Sequence, residues 1–231
     1  MKKIHILGKD ASKIKNLKEK LEQRDFVYVD ENPELVICYG GDGMFLIAER
    51  VFPGVEKLLI KDSLVCNMGH DISIEEIIDL YKKGNYDVEE IKKLKAVFKG
   101  KFETRELIGV NDIVIRNSLP TEAIRFKVNN SNILIGDGVV VATAYGSNKG
   151  AYFYSICRKN FKKGIGVAFN NISEEKNCLI LDENDFVEIE IVRGPAVLVA
   201  DNNRDFVNLQ EGDKILIKQI NDVARRIVLK K

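Results

Sequence analysis

The sequence predicts an α/β domain with a mostly parallel sheet, followed by a β-rich antiparallel domain. Three observations carry this. Up to about residue 86, short apolar runs alternate with segments of helical periodicity. Beyond it, apolar and charged residues alternate with a period of two between clusters of turn residues. No internal repeat or low-complexity linker separates the two patterns.

In chain order, Ile4 to Leu7 reads as a first strand stopped by Gly8. From Asp10 to Arg24, Ile14, Leu17 and Leu21 fall on one helical face, with Asp10 placed to cap the open amides of the first turn. Phe26 to Val29 and Leu35 to Tyr39 are two further strands. After Gly43, the spacing of Met44, Ile47, Ala48 and Val51 predicts a helix, and Leu58 to Ile60 another strand. Ser73 to Lys83 carries the clearest helical signal: Ile74, Ile77, Ile78 and Tyr81 share a face, and Ser73 with Glu76 forms a capping box. Right-handed crossovers joining such units give a Rossmann-like parallel sheet. Then Ile124, Phe126 and Val128 alternate with Arg125 and Lys127; Val187, Ile189 and Ile191 alternate with Glu188 and Glu190; Ile215 and Ile217 repeat the theme. Turn residues cluster at Asn129 to Asn132, Arg193 to Pro195, Asp201 to Asn203 and Glu211 to Asp213. The expected division is 1–90 as the α/β domain and 91–217 as the β-rich domain, with 218–231 a C-terminal segment for which a return to the first domain is one option.

Composition excludes several classes. With 36 Lys+Arg against 35 Asp+Glu the net charge is +1, without the basic excess of a nucleic-acid binder. The lysines around Leu94 (Lys92, Lys93, Lys95) and Lys159, Lys162 and Lys163 read as solvated surface. No apolar stretch reaches the length of a membrane span, and Met1 to Gly8 reads as a strand and not as a signal peptide. The four cysteines form no CxxC pair, and Cys38 and Cys66 lie in apolar runs as core residues, so the expectation is a reducing, cytoplasmic location. His5 and His70 have no neighbouring ligand, which argues against zinc; His70 reads as a surface or turn residue.

The chemistry concentrates where the strand Leu35 to Tyr39 runs into Gly40-Gly41-Asp42-Gly43 and a helix follows at once. A glycine-rich turn opening a helix lets backbone amides approach phosphate, and the helix end adds partial positive charge. A carboxylate inside such a loop would repel the phosphate unless a metal or a hydroxyl lay between. Asp42 therefore suits handling Mg²⁺, or taking a proton from a hydroxyl that attacks a phosphoryl group. The same four residues also suit a plain tight turn. Neither GxGxxG nor a Walker P-loop is present.

Two further segments follow in order: Asn111-Asp112-Ile113-Val114-Ile115, and Gly136-Asp137-Gly138 leading through Val139 to Ala142 into Thr143-Ala144-Tyr145-Gly146-Ser147. This succession resembles the NAD kinase family, which carries GGDGT, an N-[DE] pair opening an apolar strand, and DG followed by a TPTGSTAY-like loop. The resemblance spans most of the chain and is clearest from Leu35 to Ser147. It implies that Asp42 is the catalytic carboxylate serving the 2′-hydroxyl of the adenosine ribose of NAD, with Gly40, Gly41 and Gly43 shaping a phosphate-binding turn. It implies that Asn111 and Asp112 bind the dinucleotide, and that Thr143, Tyr145, Gly146 and Ser147 line the nucleotide cleft. Asp137 would meet the nicotinamide end, in this family often from a neighbouring subunit, and Arg50 would meet phosphate. It further implies ATP or polyphosphate as donor, Mg²⁺ held through donor phosphates without a side-chain metal cluster, and a homodimer or homotetramer with no nucleic-acid or membrane partner.

The sequence departs from that pattern in four places. Met44 replaces the threonine of GGDGT, and Gly150 stands at the family's tyrosine position, beside the extra cation of Lys149. The family's glycine-rich segment with an aromatic is not evident around Asn67-Met68-Gly69-His70. A lipid or sphingoid-base kinase, which shares the GGDG loop, and a non-catalytic dinucleotide sensor are the alternatives.

Overall fold

The computed structural model describes residues 1–62, 69, 72–100, 103–148, 151–174 and 178–230. The sequence readings at Cys66, Asn67, Met68, His70, Lys149 and Gly150 lie outside these residues. The chain forms two compact units, Met1–Ile91 with Asp222–Lys231, and Lys92–Asn221.

The first unit runs β1 (Lys2–Gly8), α1 (Ala11–Glu22), β2 (Phe26–Tyr28), β3 (Leu35–Gly40), α2 (Asp42–Val51), β4 (Glu56–Lys61) and α3 (Ile74–Lys82). Its strands lie in the order β2-β1-β3-β4, all parallel, and the end of the chain's last strand joins beyond β4, also parallel. Asp10 accepts from the Ser12 and Lys13 amides and Ser73 from the Glu76 amide, so both expected caps form. Ile4, Ile6, Leu35, Ile37, Leu58 and Ile60 of the sheet pack with Leu17 and Leu21 of α1 and with Ile77, Ile78 and Tyr81 of α3. Beneath α2 the Lys57 ammonium is fully buried. It donates to the Glu49 carboxylate, to Phe52 O at 2.8 Å and to Val55 O at 2.7 Å, while Glu49 accepts from Gly54 N at 2.9 Å. Such a charge is tolerable in a core only because its donors are satisfied. The register aligns the carboxyl ends of the strands, Gly8 with Tyr39 and Gly40 with Lys61. Open parallel sheets bind ligands at that edge.

The chain continues through β5 (Tyr86–Lys99), β6 (Thr104–Gly109), β7 (Asp112–Asn117), β8 (Ile124–Val128), β9 (Leu134–Gly136) and β10 (Gly138–Thr143). A 3₁₀ turn at Tyr145–Ser147 leads to α4 (Tyr152–Cys157), β11 (Ile165–Asn170) and β12 (Leu179–Leu181). The remaining strands are β13 (Phe186–Arg193), β14 (Ala196–Ala200), β15 (Val207–Leu209) and β16 (Lys214–Leu229). Within the second unit, β12-β11-β10-β7-β14-β15 form an antiparallel sheet. The start of β16 pairs antiparallel with β13, which continues to β8 and β9, and β5 pairs antiparallel with β6. Ile113, Ile115, Val139, Val141 and Val167 share one core with Phe126, Ile189, Ile191, Ile215 and Ile217. On the other side of the six-stranded sheet, Phe153 of α4 packs with Val114, Val140, Ala142 and Ala168. The α/β-then-antiparallel-β class expected from sequence is the class observed.

Two expectations need correction. Lys93 is not solvated surface: it lies within β5 and is buried, while Lys92 and Lys95 remain at the surface in ion pairs with Glu183 and Glu106. Nor are the cysteines all unpaired. Cys157 and Cys178, 21 residues apart, are joined in a disulfide with Cα atoms 6.0 Å apart. The fold, and not sequence spacing, brings them together. The cysteine argument for a reducing compartment therefore falls, although Cys38 is the buried core residue expected.

Candidate functional site

In the first unit, β3 ends at Gly40 and α2 begins at Asp42, with Gly41 as N-cap. Gly40 has φ of +152°, a conformation that L side chains rarely adopt, so the sharp exit from the strand requires glycine. The following residue, also without a Cβ, leaves the amides at the helix start accessible, and the half-buried Asp42 occupies the first helical position among them. Gly43 is exposed. Met44, which turns inward, is 6% exposed and belongs to the core, so the missing hydroxyl is replaced by apolar packing.

Beside the loop, Asp62 donates its amide to Gly40 O at 3.2 Å, accepts from Lys13 Nζ at 2.8 Å and faces Tyr39 Oη at 3.4 Å. Burial and the adjacent carboxylate raise the Tyr39 phenol above its ordinary range. Sequence reading missed this cluster because its members come from α1, β3 and the segment after β4. Arg50 is not brought to the loop. Eight residues of α-helix separate it from Asp42, about 12 Å along the axis, and it is exposed in the last turn.

In the second unit, Asn111 and Asp112 open β7, and Thr143 closes β10 beside them, since Asp112 pairs with Ala142. Thr143 N donates to Asn111 O at 2.9 Å, and its hydroxyl donates to Val110 O at 2.7 Å while accepting from Gly146 N at 2.9 Å. Gly146 sits against the Asn111 backbone, where a Cβ would collide with the carbonyl oxygen. Ser147 is fully buried; its hydroxyl donates to Ala144 O at 2.7 Å and accepts from Phe161 N at 3.0 Å. Both hydroxyls therefore shape the turn through backbone bonds. The half-buried Tyr145 stands between them in the chain.

Asp112 is 7% exposed, and burial, with the charge of Asp201 beside it, pushes its carboxyl up to about 7. Asp201, passed over by sequence reading as one member of a turn cluster, accepts from the amides of Val110, Asn111 and Asp112. Asp137 lies elsewhere. It precedes β10 at the end opposite Thr143, roughly 20 Å away along the strand, and accepts from Asn171 Nδ2 at 3.1 Å. The structure thus gathers Asn111, Asp112, Thr143, Gly146 and Ser147, and leaves Asp137 apart. Among the described residues, no three His, Cys, Asp or Glu side chains group to hold a metal ion.

No family model matches the chain. An NAD kinase of Sulfurisphaera tokodaii is 31% identical over 188 residues, covering 77% of this chain and 71% of that protein. An NAD kinase of Saccharolobus islandicus is 30% identical over 154 residues, covering 63% of this chain and 59% of its own length. The chain thus spans about three fifths of the Saccharolobus relatives that it matches. Among solved structures, yeast NADH kinase complexed with NADH aligns with a TM-score of 0.83 at 14% identity, over all of this chain and 84% of that one. An NAD kinase from Archaeoglobus fulgidus in complex with ATP gives 0.78 at 18% identity, over all of this chain and 95% of that one. The structural likenesses establish the fold, and the Sulfurisphaera relative, matched over more than two thirds of both chains, establishes that the chain belongs to the NAD kinase family.

Proposed function

We propose that this protein transfers a phosphoryl group from ATP to the 2′-hydroxyl of the adenosine ribose of NAD, making NADP. The observation that carries the reading is Asp42 at the first position of a helix entered through a glycine turn, in a chain of this family. Asp42 takes the proton from the attacking hydroxyl, while the amides around Gly41 and Gly43 receive phosphate. Asn111 offers an amide that donates and accepts, and Asp112 a carboxyl that titrates near neutrality, for ribose hydroxyls and base edges. Phosphoryl transfer of this kind depends on positioning and charge neutralisation more than on covalent catalysis. Mg²⁺ enters on the donor phosphates as part of the nucleotide substrate.

The donor and acceptor classes are supported by the ATP and NADH bound to the two structural neighbours. We further propose that the protein works as a homo-oligomer in the cytoplasm, as the family resemblance implies for the oligomer. No helix among the described residues is long and apolar enough to cross a membrane. The test is NADP formation from Mg²⁺, ATP and NAD, read through an NADP-specific dehydrogenase beside an Asp42→Asn control. Activity that disappears in the variant supports reaction and base together. Folded protein that makes no NADP, and no NADPH from NADH, with several donors refutes the assignment.

A further inference from the structure

Asp201 follows β14 in the turn that the sequence marks only as polar, and it is 8% exposed. Its Oδ2 accepts from Val110 N at 2.6 Å, and its Oδ1 from Asn111 N at 2.7 Å and Asp112 N at 3.2 Å. Its own amide donates to Asp112 O at 3.1 Å. From the other side, Thr143 N holds Asn111 O and the Thr143 hydroxyl holds Val110 O. Three consecutive residues are thereby fixed between a carboxylate 91 positions after Val110 and a threonine 33 positions after it. Charge-assisted bonds of this kind are the strong ones. Asp201 and its neighbour Asn202 keep φ of +48° and +55° to make this approach. The arrangement also places a negative charge beside the buried carboxyl of Asp112, which works against stability. The charge thus has two effects at once: it strengthens the bonds that fix the loop, and it tunes the acid that the loop carries.

We propose that Asp201 is the positioning residue of the dinucleotide loop, clamping Val110 to Asp112 so that the side chains of Asn111 and Asp112 are held in the pose that receives NAD. The inference rests on the NAD kinase reading. The strands flanking β7 present no charge to Asp112: β10 is Gly138–Thr143 and β14 is Ala196–Ala200. On β6, Arg105 is paired with Asp205 and Glu106 with Lys95, and the buried Lys93 lies on β5; among the described residues the charge that raises the Asp112 carboxyl is that of Asp201.

The experiment compares wild type with Asp201→Asn, which keeps the shape and removes the charge, and with Asp201→Glu, which keeps the charge and displaces it by one methylene. Amide exchange is followed in residues 110–112 and in β10. The KM for NAD and kcat are measured across pH. In Asp201→Asn, exchange at 110–112 rises at least about tenfold with β10 unchanged, as expected when a clamp is lost locally. KM for NAD rises about tenfold with kcat within about twofold, the signature of lost binding without lost chemistry. The pH midpoint of KM moves to lower pH, which a purely structural defect does not produce. Asp201→Glu, with the carboxylate misplaced, raises KM but leaves the midpoint near that of wild type. A folded Asp201→Asn with wild-type KM and midpoint overturns the proposal. So does failure of both variants to fold at any temperature, because Asp201 then holds the fold and not the site. Wild-type protein that neither binds nor phosphorylates NAD refutes the functional reading alone, and the exchange rates then decide whether the clamp exists.

Discussion

At the scale of single residues, Asp42 and Asp112 are two carboxylates whose surroundings give them different work. Asp42 is half-buried at the first position of a helix entered through a glycine turn, and on the proposed reading it is the proton acceptor in phosphoryl transfer. Asp42→Asn keeps the turn and removes the base, so kcat is expected to fall roughly a hundred- to ten-thousand-fold with little change in melting temperature. A variant with full activity rules out that role. Asp112 is different because its folded-state pKa is raised from 3.8 to about 7. Between those pH values the folded chain keeps the proton and the unfolded chain has lost it. The contribution of Asp112 to stability is therefore greatest in acid, declines as pH rises towards 7, and levels off once both states are ionised. The loss totals on the order of 4 kcal/mol, since each tenfold change in proton affinity is worth roughly 1.4 kcal/mol. Asp112→Asn removes the buried charge at constant shape. It is expected to melt several degrees above wild type at about pH 8, with the gap closing towards about pH 4. It is also expected to bind NAD less well. Equal melting curves at all pH values rule out the buried charge as a stability cost. Gly146→Ala tests the same loop by volume: its Cβ meets Asn111 O, so NAD affinity and stability both fall, the latter by about 1–3 kcal/mol.

At the scale of elements, what the sequence made legible was what faces water on one side. The helices α1 and α3 bury a stripe and expose the rest, so their periodicity and their caps Asp10 and Ser73 identify them to within two residues. Strands β8 and β13 alternate for the same reason. By contrast, β10 is buried at all of its positions, and an unbroken apolar run carries no period to read. The glycine loop was legible because its chemistry is local. Asp201 was not, because the three amides that it binds lie 89 to 91 residues away. Nor was the Cys157–Cys178 bridge, which ties the end of α4 to the residue before β12. Closing a loop of 21 residues removes unfolded-state entropy worth roughly 3 kcal/mol. Reducing the bridge, or Cys157→Ser, is therefore expected to lower the urea midpoint measurably, and reductant has no further effect on the variant. Identical unfolding curves with and without reductant rule out a stabilising bridge. The pair formed by Lys57 and Glu49 is an element-scale feature too, since it fastens the end of α2 to β4 from beneath, with both charges buried.

At the scale of the whole molecule, the placement of Asp137 makes a testable matter of which copy's site it serves. Within the second unit, Asn111, Asp112 and Thr143 gather at one end of β7 and β10, and Asp137 stands at the other, roughly 20 Å off. Gly138 fixes that end, since its φ of +144° and its close approach to the Ile115 carbonyl admit no side chain. A six-residue strand cannot bend to bring its two ends together, so Asp137 and Asn111 of one copy do not meet at one end of a ligand along this sheet. The family resemblance implies that Asp137 meets the nicotinamide end in a neighbouring copy's site, and we propose that arrangement here. Complementation tests this. Asp42→Asn and Asp137→Ala are each expected to be nearly inactive alone. Unfolded together and refolded as a mixture, they form hybrids in which one site takes Asp42 from one copy and Asp137 from the other, both intact. For a dimer, half of the assemblies are hybrids and half of the sites in each are whole, so roughly a quarter of wild-type activity returns. Dilution to the monomer removes it. Recovery that depends on concentration fixes both the oligomer and the shared site. A mixture no more active than its parts, with hybrids confirmed by mass, shows that Asp137 serves only its own chain, holding Asn171 at the end of β11.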